Sequence, residues 1–115
     1  MGDIGEHLQR GVALKVEGRY EEAIAELQEA TRANGLHAEA HRQLGLAYGF
    51  SGLFDESLGS LKRAVELDPS CAAARYDLGM TYAMLGMCEE AKAEFELVLE
   101  IDPEHEHARK QLVYF

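Results

Sequence analysis

Apolar positions in this chain recur three and four residues apart, and no stretch alternates apolar with polar for long enough to make a strand. Phe54, Leu58, Leu61 and Val65 follow one another at steps of four, three and four, which places them on one stripe of an α-helix. The same spacing predicts a helix over about 3–16, where Leu8, Val12 and Val16 form the stripe with Ile4, Gly11 and Leu14 beside it. It predicts another over 20–33, with Ala23, Leu27 and Ala30 turned inward. Further helices are predicted over about 37–50 (Ala40, Leu44, Ala47, Tyr48), 54–67, 71–85 (Ala74, Leu78, Tyr82, Leu85) and 88–101 (Ala91, Phe95, Val98, Leu99). A last helix follows Pro103. Gly18 closes the first, since glycine enters the left-handed turn at no steric cost, and Asn34-Gly35, Asp68-Pro69 and Asp102-Pro103 are turn pairs.

These helices are copies of one another. Gly18, Gly52 and Gly86 stand 34 residues apart, as do Gly11, Gly45 and Gly79. The columns Leu27, Leu61, Phe95, then Ala30, Ala64, Val98, then Tyr20, Phe54, Cys88 keep the same step. A constant period of this length marks a stacked repeat architecture. Gly11, Gly45 and Gly79, with Ala23, Ser57 and Ala91, are expected where the two helices of a unit cross, because absent side chains let backbones approach. Arg10 takes the column of Leu44, Leu78 and Leu112, which leaves that edge of the first unit wet. After Pro103, EHEHARKQLVYF reads as the first helix of a fourth unit, covering the apolar side of the last pair. Tyr114 and Phe115 are expected either to tuck onto the last unit or to lead into a longer array.

The segments GRYEEA, GLFDES and GMCEEA, the two glycine columns and the closing Asp-Pro together resemble the tetratricopeptide repeat family over nearly the whole chain. The resemblance implies an all-α, right-handed α-α superhelix of seven helices. It implies one domain over 1–115, with repeats at about 4–37, 38–71 and 72–105 and a capping helix at 106–115. It further implies that the first helix of each unit lines a concave groove that takes a segment of another protein. By register, the groove residues are Leu8, Val12, Arg42, Gln43, Leu46, Phe50, Tyr76, Asp77, Met80 and Met84, with Gln9, Val16, Glu39, Ala73, Lys110 and Tyr114 alongside. Val12, Leu46 and Met80 share one column; Leu8, Arg42 and Tyr76 share a second, where Arg42 is placed to meet a carboxylate or carbonyl of the ligand. Val16, Phe50 and Met84 either join this surface or wedge neighbouring helices together. One subset of the family grips acidic chaperone tails with a clamp of lysine, asparagine and arginine. The matching places hold Leu8, Val12, Gln43, Ala73 and Asp77, so an apolar or amphipathic partner is expected instead.

Charge narrows the partner further. Eleven lysines and arginines against 21 aspartates and glutamates leave a formal charge of −10, which disfavours nucleic acid and anionic membranes and suits a basic partner. Eight acids between Gly86 and His107 face the single base Lys92 and read as a solvated acidic face. Glu21-Glu22, Asp55-Glu56 and Glu89-Glu90 open every second helix, where carboxylates complement the helix dipole. An acidic start and the lack of a long apolar run predict a cytoplasmic protein without a leader. Cys71 and Cys88 form no metal motif; Cys88, in the aromatic column, is expected to be a buried, inert thiol in a reducing compartment. His37 and His41, four residues apart, are the nearest approach to a metal pair, and nothing at useful spacing completes it. Serines lack a triad signature and the glycines sit in or between helices, so the chain reads as a non-enzymatic module without cofactors. Self-association into a homo-oligomer, and service as a recruiting domain of a larger enzyme, are the rival expectations.

Overall fold

A computed structural model describes residues 3–115; Met1 and Gly2, part of the predicted domain, lie outside them. Seven helices follow in order: α1 (Ile4–Val16), α2 (Tyr20–Ala33), α3 (Ala38–Phe50), α4 (Phe54–Leu67), α5 (Ala72–Met84), α6 (Cys88–Ile101) and α7 (Glu106–Leu112). The odd-numbered helices begin 34 residues apart, so the sequence period is also the structural one. Each unit turns at a glycine with positive φ, Gly18 at 82°, Gly52 at 79° and Gly86 at 75°. Around each, the next amide bonds back five residues: Arg19 N to Leu14 O, Leu53 N to Tyr48 O and Met87 N to Tyr82 O, all at 2.9 Å. That is the Schellman arrangement, and it satisfies carbonyls the helix end would otherwise leave open.

Within a unit the two helices are pressed together at the second glycine column. A β-carbon on Gly11 would lie 2.5 Å from Leu27 Cγ, on Gly45 2.6 Å from Leu61 Cγ and on Gly79 2.7 Å from a Phe95 ring carbon. Ala23, Ala91 and Ser57 complete the crossings and are buried. The Ser57 hydroxyl donates to Gly45 O at 2.8 Å and lies 3.3 Å from the Thr81 hydroxyl, so the polar member of the column is satisfied inside the core.

The pairs stack into a right-handed solenoid in which contacts run between chain neighbours, with α1 also touching α3 and α3 touching α5. Its core is correspondingly strung along the axis in three clusters. One joins Ala23 and Leu27 to Leu44 and Ala47, the next joins Leu61, Ala64 and Val65 to Ala74 and Leu78, and the last joins Ala91, Phe95 and Val98 to Ala108 of α7. Every cluster therefore spans the boundary between one unit and the next, which is what couples neighbouring repeats.

The turns between units carry a fastening that the spacing alone did not reveal. His41 Nε2 lies 2.9 Å from Gly35 O, Arg75 Nε donates to Pro69 O at 2.8 Å and Arg109 to Pro103 O at 2.6 Å. These side chains share a column, and each reaches back six residues to bind the turn that precedes its helix.

Three expectations need correction. Cys88 is exposed, while Cys71 is partly buried and packs on the core between α4 and α5. Elsewhere the column holds a large ring that the following unit covers, as where Tyr20 stacks on Phe50 at 5.7 Å; the small thiol of Cys88 makes no such stack and stands open. Glu94 does not belong to the solvated acidic face: it is 8% exposed and receives the Arg75 guanidinium at 2.9 and 3.3 Å. Of the two terminal aromatics, only Phe115 tucks in, 5.8 Å from Phe95, while Tyr114 is 80% exposed.

Two outcomes follow. Gly45→Leu drives a side chain into Leu61 and should lower stability by about 2 kcal/mol or more, read as a drop in the urea midpoint with the dependence on urea concentration unchanged. A thiol reagent on the native protein should modify Cys88 first and Cys71 far more slowly, as followed by mass spectrometry of the labelled peptides.

Candidate functional site

The side-by-side placement of α1, α3 and α5 makes a face on which their outward residues line up in rows. Val16 is 78% exposed, Phe50 58% and Met84 61%, so these three form an apolar row open to solvent along three units, within which Phe50 also stacks on Tyr20 of the preceding unit. Beside the row, a cleft of about 250 Å³ opens between α3 and α5 with α4 as its floor. Leu46, Phe50, Met80 and Met84 form its walls, Phe54, Ser57 and Leu61 its floor, and Asp77 stands at its margin. Covering such apolar walls with an apolar group of a ligand is favourable, because apolar surface is removed from solvent. The unbranched thioethers of Met80 and Met84 adapt to differently shaped groups.

One end of the cleft meets a polar network that ties the inner helices together. Lys15 of α1 donates to Gln43 Oε1 at 2.7 Å, Gln43 donates to Glu39 at 2.8 Å, and Glu39 receives Arg42 at 3.0 Å. Arg42 Nε then donates to Asp77 of α5 at 2.7 Å. Arg42, expected to meet a ligand's carboxylate, is thus already engaged by two carboxylates of its own chain. Burial holds the Asp77 carboxyl above its usual range, and the adjacent Arg42 only partly offsets it. Burial also works against the charge of Arg42, but Asp77 and Glu39 outweigh it and raise its pKa. Lys15 is lowered, first by burial and then by the neighbouring charge of Arg42.

Of the residues predicted to line the groove, the structure brings Leu46, Phe50, Asp77, Met80 and Met84 together at the cleft, with Arg42 and Gln43 in the adjoining network. It does not bring Leu8, Val12 or Tyr76 there. Leu8 packs on the Ala23, Leu27 and Leu44 cluster, and Val12 is half-buried on α1. Tyr76 packs against Phe95 at 5.7 Å and against the His105 ring at 5.1 Å. Phe54 and Thr81 were missed as lining residues. Their signal was weak, because Phe54 sits in the aromatic column at a helix junction and reads as core.

His37 and His41 each meet a backbone group. His37 Nδ1 accepts the Ala40 amide at 3.1 Å and His41 Nε2 faces Gly35 O. Among the described residues no three His, Cys, Asp or Glu side chains gather closely enough to hold a metal ion. None of the described helices is long and apolar enough to cross a membrane.

Because burial raises Asp77, the folded state binds its proton more readily than the unfolded chain. Its charged form therefore costs stability, and that cost grows as pH rises from the ordinary aspartate range through the titration of Asp77 itself. A carbon-13 titration should place the Asp77 carboxyl midpoint above that of an exposed aspartate, and Arg42→Gln should move it higher still; a midpoint at or below the ordinary value would contradict the geometry.

The fold recurs in solved structures. The chain superposes on the first tetratricopeptide domain of Spaghetti (RPAP3), bound to HSP90 peptide SRMEEVD, with a TM-score of 0.95 and 25% identity, covering 97% of this chain and 89% of that one. For the second such domain of human RPAP3, in complex with HSP70 peptide SGPTIEEVD, the TM-score is 0.90 at 30% identity, over 94% and 90% of the two chains. YrrB, a tetratricopeptide protein with an unusual peptide-binding site, gives 0.91 at 29% identity over 96% of this chain and 57% of that one, so this chain spans little more than half its length. No curated protein matches the sequence. A sequence profile of the tetratricopeptide repeat matches residues 8–48 and 42–106; with the helix pairs and the glycine crossings already described, the chain belongs to the tetratricopeptide repeat family.

Proposed function

We propose that this protein is a binding module whose cleft between α3 and α5 takes an apolar face of an amphipathic helix from a basic partner protein. The observation that carries the reading is the cleft of about 250 Å³ walled by Leu46, Phe50, Met80 and Met84, continued by the exposed row through Val16. Structural relatives bound to peptides support a protein-interaction role in general. The acidic peptides they hold fit this chain poorly: Leu8, Val12, Ala73 and Asp77 stand where the clamp places positive or amide groups, and Arg42 is closed off by Asp77 and Glu39.

Spacing favours a helix as the ligand. Packed helices lie about 8–10 Å apart, and seven residues of α-helix rise about 10 Å while returning to the same face. A ligand helix crossing α1, α3 and α5 with an apolar residue at every seventh position therefore meets Val12 or Val16, then Leu46 or Phe50, then Met80 or Met84. An extended strand covers that distance in three residues, which point to opposite faces. The formal charge of −10 favours lysine or arginine on the ligand's other face.

The test uses a synthetic amphipathic peptide with leucine at every seventh position and lysines opposite, alongside SRMEEVD. Calorimetry should give saturable binding of the first and none of the second. Leu46→Glu and Met80→Glu should each weaken binding about tenfold or more with helicity and melting intact. Unchanged binding by both variants would move the site off this cleft, and tight binding of the acidic peptide would overturn the choice of ligand.

A further inference from the structure

The residue just before each odd-numbered helix sits in one column: Asp3, His37, Cys71 and His105. Three of the four cap their helix with the side chain. Asp3 accepts the Glu6 amide at 2.9 Å, His37 Nδ1 the Ala40 amide at 3.1 Å and His105 Nδ1 the Ala108 amide at 3.1 Å, whereas Cys71 makes no such bond. The chemistry of the acceptor differs decisively. A carboxylate stays an acceptor far into acid. An imidazole nitrogen accepts only through its lone pair, and the imidazolium carries N–H on both nitrogens. Protonation therefore sets donor against donor and adds positive charge at the positive end of the helix. Histidine ordinarily makes this change near about pH 6.5.

The surroundings offer His105 little to counter that change. From α5 it meets the Tyr76 ring; on its own side stand the His107 ring at 6.1 Å, Glu106 and Arg109. The Asp102 carboxylate is turned to the Glu104 amide at 3.2 Å and Arg109 to Pro103 O, while α6 presents Phe95 and Val98 to α7. Near His37, Arg32 at the end of α2 pairs with Glu29, and Glu39 and Arg42 of α3 are bound to each other. His41 faces Gly35 O through Nε2, a contact its protonated form keeps as a donor. His7 behaves oppositely to the caps: its ring lies 2.8 Å from the Glu26 carboxylate, a contact that charge strengthens.

We infer that His37 and His105 make the solenoid acid-responsive, so that mild acid uncaps α3 and α7 and loosens α7 from α6. Of the two, α7 is the more easily loosened. It has seven residues, a single buried one in Ala108, and its contacts run mainly to α6. Its release uncovers Phe95 and the Tyr76 ring, and so changes the last wall of the inner face.

Amide hydrogen exchange of the full chain, expressed as protection relative to the unstructured rate, tests this between about pH 7.5 and about pH 5.5. Protection at Ala108 and Ala40 should fall about fivefold or more across that interval, while Ala74, behind the uncapped Cys71, keeps its value. His105→Asp replaces the imidazole with the preferred acceptor for a cap, and should make Ala108 protection level across the interval without altering Ala40. Equal protection of Ala108 at both values in the unaltered protein would overturn the inference. So would the same acid loss at Ala108 in the His105→Asp variant.

Discussion

The close crossing of each helix pair is the constraint on which the rest of the structure depends. Where Gly11, Gly45 and Gly79 lie under Leu27, Leu61 and Phe95, the space of one β-carbon is already taken. That contact sets how near the two backbones run and at what angle, and the angle sets where the next pair stacks. A repeat protein multiplies such a setting along its axis, because each unit is placed only by its neighbour. The cleft between α3 and α5 is a consequence. It exists because two first helices are held side by side by the pairs behind them, with α4 as the floor, and not because any residue was placed there to make a pocket.

Across that face the protein combines two kinds of surface that pull a ligand in different ways. Leu46, Phe50, Met80 and Met84 offer apolar area, whose attraction is non-directional and scales with the area covered. The chain from Lys15 through Gln43, Glu39 and Arg42 to Asp77 is directional and internally satisfied. Breaking it to serve a ligand leaves buried charges without partners, which is far costlier than leaving it intact. The network therefore acts as a fixed margin that joins α1, α3 and α5, and the apolar side of the face is left to carry recognition.

Legibility in the sequence followed the repeat. Helix boundaries, glycine crossings and inward stripes could be read because each was written three times in register, so one ambiguous copy was corrected by the others. The cleft was half legible: Leu46, Phe50, Met80 and Met84 stand on the first helices, but Phe54 reaches the site from a second helix through a fold of the chain that no column displays. Column reasoning failed where a position loses its ring or gains a private neighbour. Cys88 inherits the place of Tyr20 and Phe54 but not their rings, and it stands exposed. Glu94 looked like one charge in an acidic run until Arg75, on the partner helix, came to lie 2.9 Å away. A run of like charges says nothing about which member has found a partner, since pairing between helices is settled by the crossing and not by the local sequence.

The same locality explains how one architecture can carry different responses at equivalent places. Energies in a stacked array are close to a sum of unit terms and neighbour terms, so a residue at a helix start acts mainly on its own unit. Asp3, His37, Cys71 and His105 occupy one geometric role with three chemistries, and the backbone around them stays the same. Interior crossings do not have this freedom: a change at Gly45 displaces Leu61 and, through the shared cluster with Ala74 and Leu78, disturbs the next unit as well. Variation in such a fold is therefore mechanically directed to caps, turns and the inner face, where a substitution alters one contact, and away from the glycine crossings, where it alters the spacing on which every later unit is laid.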